Sequence, residues 1–322
     1  MRAAIVTGMW RILTLVRMTV LASGSRGNAT VVAAGGTSVL VDAGLSCREI
    51  LRRMASAGED PARLNAILIT HEHLDHVAGL SVLARKLKIP VFFTEATHRA
   101  WVRMLTPQKR MTYKAWIEKM QRERAAMESG ADAPEDEAAP CTEEEAPRRT
   151  SPTELPALEF FEAGRSFRIG ELEVCPFTIP HDAADPCGFV FYAPGESIRM
   201  AVATDLGYVP PNVKLALQNV DVLLLESNHD LEMLKDGPYP WSVKQRVLSR
   251  VGHLSNAATA EFLMRDYDGG AHTIVLGHLS EQNNLPELAR LAAEQAIGDR
   301  MRLLGNRVLL AQQDVALDPI RL

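Results

Sequence analysis

The chain has 322 residues, 47% of them hydrophobic, enough to bury one large core or two ordinary ones. A net charge of −5 and a pI near 6.0 exclude the basic balance of a dedicated nucleic-acid binder, so any such contact has to be local. The four cysteines, Cys47, Cys141, Cys175 and Cys187, form no C-x-x-C pair, which argues against a disulfide framework and a thiolate zinc site and favours a reducing, cytoplasmic setting.

Residues 1–17 read as an N-terminal extension. Arg11 and Arg17 interrupt their apolar stretch and no small-residue cleavage site follows, so they are not expected to be a signal peptide. No later run approaches the roughly 18 apolar residues of a membrane span. Strands are expected at Met18 to Ala22, Thr30 to Ala34 and Thr37 to Asp42, with Ser23 to Asn28 as a glycine-rich turn better read as a hairpin than as a phosphate cradle. A helix at Arg48 to Gly58, a strand at Ala66 to Thr70, a helix at Leu80 to Leu87 and a strand at Val91 to Thr94 give the alternating rhythm of an α/β fold.

Composition then shifts. Residues 99–124 carry eight Lys or Arg against two Glu, with Trp101, Tyr113 and Trp116 interleaved, and read as a helix. That stretch suits either a nucleic-acid clamp or a surface helix packing its tryptophans on the core. Residues 129–149 hold seven Asp or Glu and three prolines without periodicity, the pattern of a flexible acidic linker. Residues 107–156 are therefore taken as an insertion in a single domain spanning 18–322.

Strand patterns return at Phe160 to Ala163, Ser166 to Ile169, Glu171 to Ile179, Gly188 to Tyr192, Arg199 to Ala203, Val220 to Leu225 and Thr273 to Leu276. Helices are expected at Val213 to Gln218, Ser242 to Arg250, Ala257 to Arg265 and Leu285 to Glu294. Lys244, Arg246 and Arg250 share one of these helices, whose basic side suits either a phosphate backbone or solvent.

The chemistry concentrates in Thr70-His71-Glu72-His73-Leu74-Asp75-His76, directly after a strand. A turn there lets His71 and His73 face one metal ion while Asp75 and His76, on the first turn of the next helix, face another. Imidazole and carboxylate donors suit Zn²⁺, with Mn²⁺ as a second choice. His181, Asp205 and His278 each follow a strand, and Asp205 suits a carboxylate bridging two ions roughly 3.5–4 Å apart. His98, in the basic helix, and His272, beside Gly269-Gly270, read as surface residues.

The H-x-H-x-D-H motif with the later His, Asp and His resembles the metallo-β-lactamase superfamily. Gly24-Ser25-Arg26-Gly27-Asn28, Glu226-Ser227-Asn228-His229-Asp230, Gly252-His253-Leu254-Ser255-Asn256 and Gly277-His278-Leu279-Ser280 resemble its YycJ (WalJ) branch of exonucleases. The resemblance covers residues 18 to about 300 apart from the insertion. It implies a four-layer αββα sandwich, two metal ions at its edge, and 5′-to-3′ hydrolysis of DNA phosphodiesters by a metal-bridging hydroxide. It also implies that His71, His73 and His181 hold one ion, that Asp75, His76 and His278 hold the other, that Asp205 holds both, and that Asp42 supports them by hydrogen bonds. Glu226 and His253 resemble the Glu–His dyad of ribonuclease Z, with His253 either protonating the leaving oxygen or steadying the charge on the transferring phosphoryl group. His229 either touches substrate phosphate or holds its own loop.

Three other functions remain open on these residues. A small-molecule hydrolase of the same fold would act on a cyclic phosphodiester, lactone or thioester. Diiron redox chemistry resembles sequences with Glu where this chain has His73. A non-catalytic metal-stabilised module would need neither a second ion nor a bridging Asp.

Overall fold

Runs such as Ala29–Ala34 and Thr37–Val41 are buried at every position, which suits small and β-branched residues to strands covered on both faces. The structure, a computed structural model, describes residues 16–106, 116–118, 120–121, 151–298 and 306–322. Contacts divide the chain into two units, Met1–Trp101 with Leu155–Leu322, and Val102–Glu154. Most of the expected extension and insertion lies outside the described residues.

The chain opens with β1 (Arg17–Ala22), β2 (Ala29–Ala34), β3 (Thr37–Val41), α1 (Cys47–Ser56), β4 (Leu64–Leu68), α2 (Leu74–Val77), α3 (Leu80–Leu87), β5 (Val91–Phe93) and α4 (Glu95–Leu105). It continues with β6 (Leu158–Phe160), β7 (Phe167–Ile169), β8 (Leu172–Thr178), β9 (Cys187–Ala193), β10 (Ile198–Ala203), α5 (Pro211–Ala216), β11 (Val222–Glu226), α6 (Leu231–Asp236) and α7 (Trp241–Val247). The last elements are α8 (Asn256–Arg265), β12 (Thr273–Gly277), α9 (Pro286–Ile297), β13 (Arg307–Leu310) and β14 (Ile320–Arg321).

Two seven-stranded sheets result, ordered β14-β1-β2-β3-β4-β5-β6 and β13-β12-β11-β10-β9-β8-β7. Strand alternation separates the layers: Val222 and Leu224 of β11 point into the core between the sheets, and Leu223 and Leu225 into a second core. The inner core sets Met18, Val20, Val41 and Leu68 against Val174, Phe189, Phe191 and Val202. The second core packs Ile274 and Leu276 under Phe262 and Leu263 of α8 and Ala289 and Ala293 of α9. On the other sheet, α1 buries Ile50 and Met54 and α3 buries Leu80 and Leu83. This is the four-layer αββα sandwich.

Differences from the expected elements have local causes. The strand expected at Phe160 to Ala163 is β6, which pairs with β5 only over Leu158–Phe160 before the chain turns away. Of the helix expected over 99–124, the described residues show α4, which begins earlier, ends at Leu105 and buries Trp101 completely, and further helical residues at 116–118 and 120–121. Strands β13 and β14 were not expected; both lie at sheet edges, and the two residues of β14 become a strand only by pairing with Arg17 and Met18.

Each sheet carries a block of parallel strands, β3 to β6 in one and β10 to β13 in the other. Their carboxyl ends are where irregular backbone begins, and loops there present polar side chains together.

Candidate metal centre

Residues at these carboxyl ends supply the cluster. Asp42 follows β3, Thr70 and His71 follow β4, Asp205 follows β10, Glu226 ends β11 and His278 follows β12. Asp42, Asp205 and His278 adopt φ of 61°, 63° and 55°. Left-handed backbone is costly for residues with a Cβ, and three such residues at one edge mark a site where side-chain direction outweighs backbone comfort. Gly44 is required for a different reason: a Cβ there would sit 1.6 Å from the carbonyl oxygen of Asp75, so only glycine lets the loop after β3 reach the motif.

Five imidazoles are oriented from behind. The outer nitrogens are His71 Nδ1 at 3.0 Å from Thr70 Oγ1, His76 Nδ1 at 2.8 Å from Asp42 Oδ2, and His278 Nδ1 at 3.1 Å from Glu226 Oε1. His73 Nε2 and His181 Nδ1 each lie 3.2 Å from a carbonyl, those of Asp182 and Gly252. An oxygen partner on one ring nitrogen assigns the N–H there and turns the other nitrogen's lone pair inward. The inward atoms then face one another: His73 Nδ1 is 3.1 Å from His71 Nε2 and 3.3 Å from His181 Nε2. Three converging lone pairs repel unless a cation lies among them.

A second group adjoins the first. His76 Nε2 lies 3.4 Å from Asp75 Oδ2 and 3.4 Å from Asp205 Oδ2, and His278 Nε2 lies 3.5 Å from Asp75 Oδ2 and 3.5 Å from Asp205 Oδ1. Asp205 Oδ1 is also 3.9 Å from His181 Nε2, so the carboxylate borders both groups. Asp205 Oδ2 and His278 Nε2 are buried without a hydrogen-bond partner. Ligand atoms of His71, His73 and His181, and separately of Asp75, His76 and His278, lie within 4.8 Å of one another. The donor set thus fits two divalent cations.

Charge gives the same answer. Burial opposes charge on His76 and His278, yet neighbouring carboxylates outweigh it and hold both pKa values well above the usual imidazole range. Burial pushes His71 well below that range, and the adjoining imidazoles add to the effect. The carboxylates of Asp42, Asp75, Asp205 and Glu226 therefore demand positive charge at this edge.

Glu226 and His253 meet: His253 Nδ1 is 2.7 Å from Glu226 Oε1, while Glu226 Oε2 accepts from the backbone N–H of Leu206 at 2.6 Å. His229 does not join the cluster. It is 1% exposed, its Nδ1 is 3.3 Å from Asn228 Oδ1, and its carbonyl accepts from Asn256 N at 2.8 Å. Burial lowers its pKa to about 4 and leaves Nε2 without a hydrogen-bond partner; these contacts favour the loop-holding role over contact with substrate phosphate. Lys244 is likewise withdrawn from substrate: it is buried and its Nζ donates to the carbonyl of Lys235 at 2.5 Å. His98 is half-buried rather than a surface residue, its ring packing on Phe93, Trp101 and Phe160.

Sequence reasoning missed three supporting residues. Asn28 Nδ2 reaches Asp75 Oδ2 at 3.2 Å and His76 Nε2 at 3.1 Å from the hairpin turn between β1 and β2. Thr70 Oγ1 touches Asp42, His71 and His76 at once. Asp182, beside His181, places a buried Oδ1 3.4 Å from His181 Nε2. Thr70 and Asp182 each stand next to a histidine in the sequence, whereas Asn28 stands far from any of them.

Comparison with known proteins gives the family of the chain. A family model described as beta-lactamase superfamily domain matches residues 37–278. The chain is 33% identical over 275 residues to exodeoxyribonuclease WalJ of Streptococcus pneumoniae serotype 2, covering 85% of this chain and 86% of the relative. It is 33% identical over 281 residues to exodeoxyribonuclease YycJ of Bacillus anthracis, covering 87% and 89%. Among solved structures, the metallo-β-lactamase fold protein YhfI from Bacillus subtilis superposes with a TM-score of 0.60 at 14% identity, over 94% of this chain and 99% of that one.

Proposed function

Because the chain belongs to the beta-lactamase superfamily, in the group of the exodeoxyribonucleases WalJ and YycJ, we propose that it is a metal-dependent DNA exonuclease acting from the 5′ end. The observation that carries the hydrolytic part is the pair of adjoining ligand groups with Asp205 between them. His71, His73 and His181 would hold one ion, Asp75, His76 and His278 the other, and Asp205 both. Zinc is the preferred metal, from the imidazole and carboxylate donors, with manganese second. When bound, the ions supply Lewis acidity at the phosphodiester and acidify water.

The chain's own residues do the rest. Asp75, its Oδ2 fixed by Asn28, and Asp205 orient the attacking water. As an imidazolium, His253 would donate its Nδ1–H to Glu226 and give the proton on Nε2 to the departing oxygen, ending as the neutral Nδ1–H tautomer. Its side chain is 19% exposed, so the ring is reachable from outside while the carboxylate behind it is fully buried. That burial strengthens the Glu226–His253 interaction, as low dielectric strengthens any paired charge.

No helix among the described residues is long and apolar enough to cross a membrane. The scattered cysteines, without a C-x-x-C pair, support our placing the protein in the cytoplasm. We also take residues 18–322 as one domain with an insertion near 107–156. The test is release of nucleotides from a DNA oligonucleotide by chain loaded with Zn²⁺ or Mn²⁺. Hydrolysis of lactone, thioester or cyclic phosphodiester with no action on DNA would replace this reading by the small-molecule one.

A further inference from the structure

Resting on the nuclease reading, we propose that Tyr208 and Arg250, with Arg246 beside them, form the subsite that grips the DNA strand next to the scissile phosphodiester.

Three loops carry His181, Asp205 and His253, and backbone contacts join them. Gly207 N donates to the carbonyl of Pro180 at 2.9 Å, and Asp182 N donates to that of Val251 at 3.1 Å. Gly207 packs so closely on the third loop that a Cβ would sit 2.1 Å from the carbonyl oxygen of Arg250. Side chains on the outer rim of these loops are thereby held at fixed positions relative to the cluster.

On that rim the guanidinium carbon of Arg250 lies 4.3 Å from the centre of the Tyr208 ring, and Tyr208 is 36% exposed. Tyr208 is three residues beyond Asp205 and Arg250 three before His253. Arg246 is also exposed and pairs with Asp182, the neighbour of His181. An exposed aromatic ring backed by a guanidinium stacks nucleobases of any sequence, and the arginines take backbone phosphate. The same groups explain how a polyanion approaches a cluster built around four carboxylates. Holding the loops is already the work of the backbone contacts, so the pair is not needed for that.

The experiment compares kcat/KM of wild type, Tyr208→Leu, Tyr208→Phe and Arg250→Gln on two substrates, a single-stranded DNA oligonucleotide and bis(4-nitrophenyl) phosphate. Tyr208→Leu is expected to lose about tenfold more on the oligonucleotide than on the aryl diester, and Tyr208→Phe to restore most of it. Arg250→Gln is expected to flatten the log–log salt dependence on DNA by about 0.7. Equal losses on both substrates, or none on either, overturn the subsite. Wild type that hydrolyses the aryl diester and leaves DNA intact overturns the nuclease reading and the subsite together.

Discussion

Glu226 Oε1 accepts from His253 Nδ1 at 2.7 Å, and the same oxygen lies 3.1 Å from Nδ1 of His278. One buried carboxylate thus orients both the proposed proton donor and a proposed metal ligand. Glu226→Gln removes the charge but keeps the shape. It is expected to lower metal affinity and turnover each by about 10- to 100-fold, measured by competition with a chelating dye and by steady-state rates. A variant losing turnover with unaltered metal affinity would confine Glu226 to His253.

Thr70→Val is expected to weaken the centre without touching a ligand. Its hydroxyl meets Asp42 Oδ2 at 2.9 Å, His71 Nδ1 at 3.0 Å and His76 Nδ1 at 3.2 Å. Valine keeps the volume and leaves Asp42 short of a donor, at a cost of about 1–3 kcal/mol. Chemical denaturation of the metal-free variant checks the stability loss, and metal titration checks the slackened imidazoles.

Metal removal is expected to abolish hydrolysis and lower Tm, because ions that bind only the folded chain stabilise it. Metal analysis should find two zinc or manganese ions per chain. Two irons and little else would assign the centre to redox chemistry instead.

At the other end of β1, Arg17 binds Glu59 through two hydrogen bonds of 2.8 and 2.7 Å, and Thr19 Oγ1 adds a third at 2.7 Å. Burial alone would raise the Glu59 pKa; these bonds outweigh it and hold it below the usual carboxylate range. The stabilisation is therefore present above the unfolded value, about 4.3, and is lost as pH falls through the lower folded value. Glu59→Gln is expected to cost about 2 kcal/mol at pH 7 and to reduce the loss of stability on acidification, seen in urea melts between pH 7 and 3. An unchanged acid profile would remove the pair from the ledger.

Legibility followed distance along the chain. His71, His73, Asp75 and His76 stand out because one loop carries them, and His181, Asp205 and His278 because each ends a strand with readable periodicity. Glu226 and His253 come together as the family resemblance implied. The supporting roles of Asn28 and Thr70 were not legible because Asn and Thr in turns are ordinary: only the fold brings Asn28 to the histidines, and only the fold brings Thr70, beside His71 in sequence, to Asp42 and His76 as well. Lys244 misled because its basic face suggested either a phosphate backbone or solvent, whereas its stem is buried and its head caps the end of α6. Nothing in the two residues of β14 forecast their pairing with β1.

The most direct measurement is digestion of DNA labelled at either end by chain loaded with Zn²⁺ or Mn²⁺, wild type against His76→Ala. The expected result is nucleotide release from the 5′ end by wild type, with the activity of His76→Ala reduced by at least about 100-fold, since His76 would be a ligand in the proposed second group. Intact DNA with metal-loaded wild type, or full activity in His76→Ala, would contradict the assignment of this cluster as a nuclease centre.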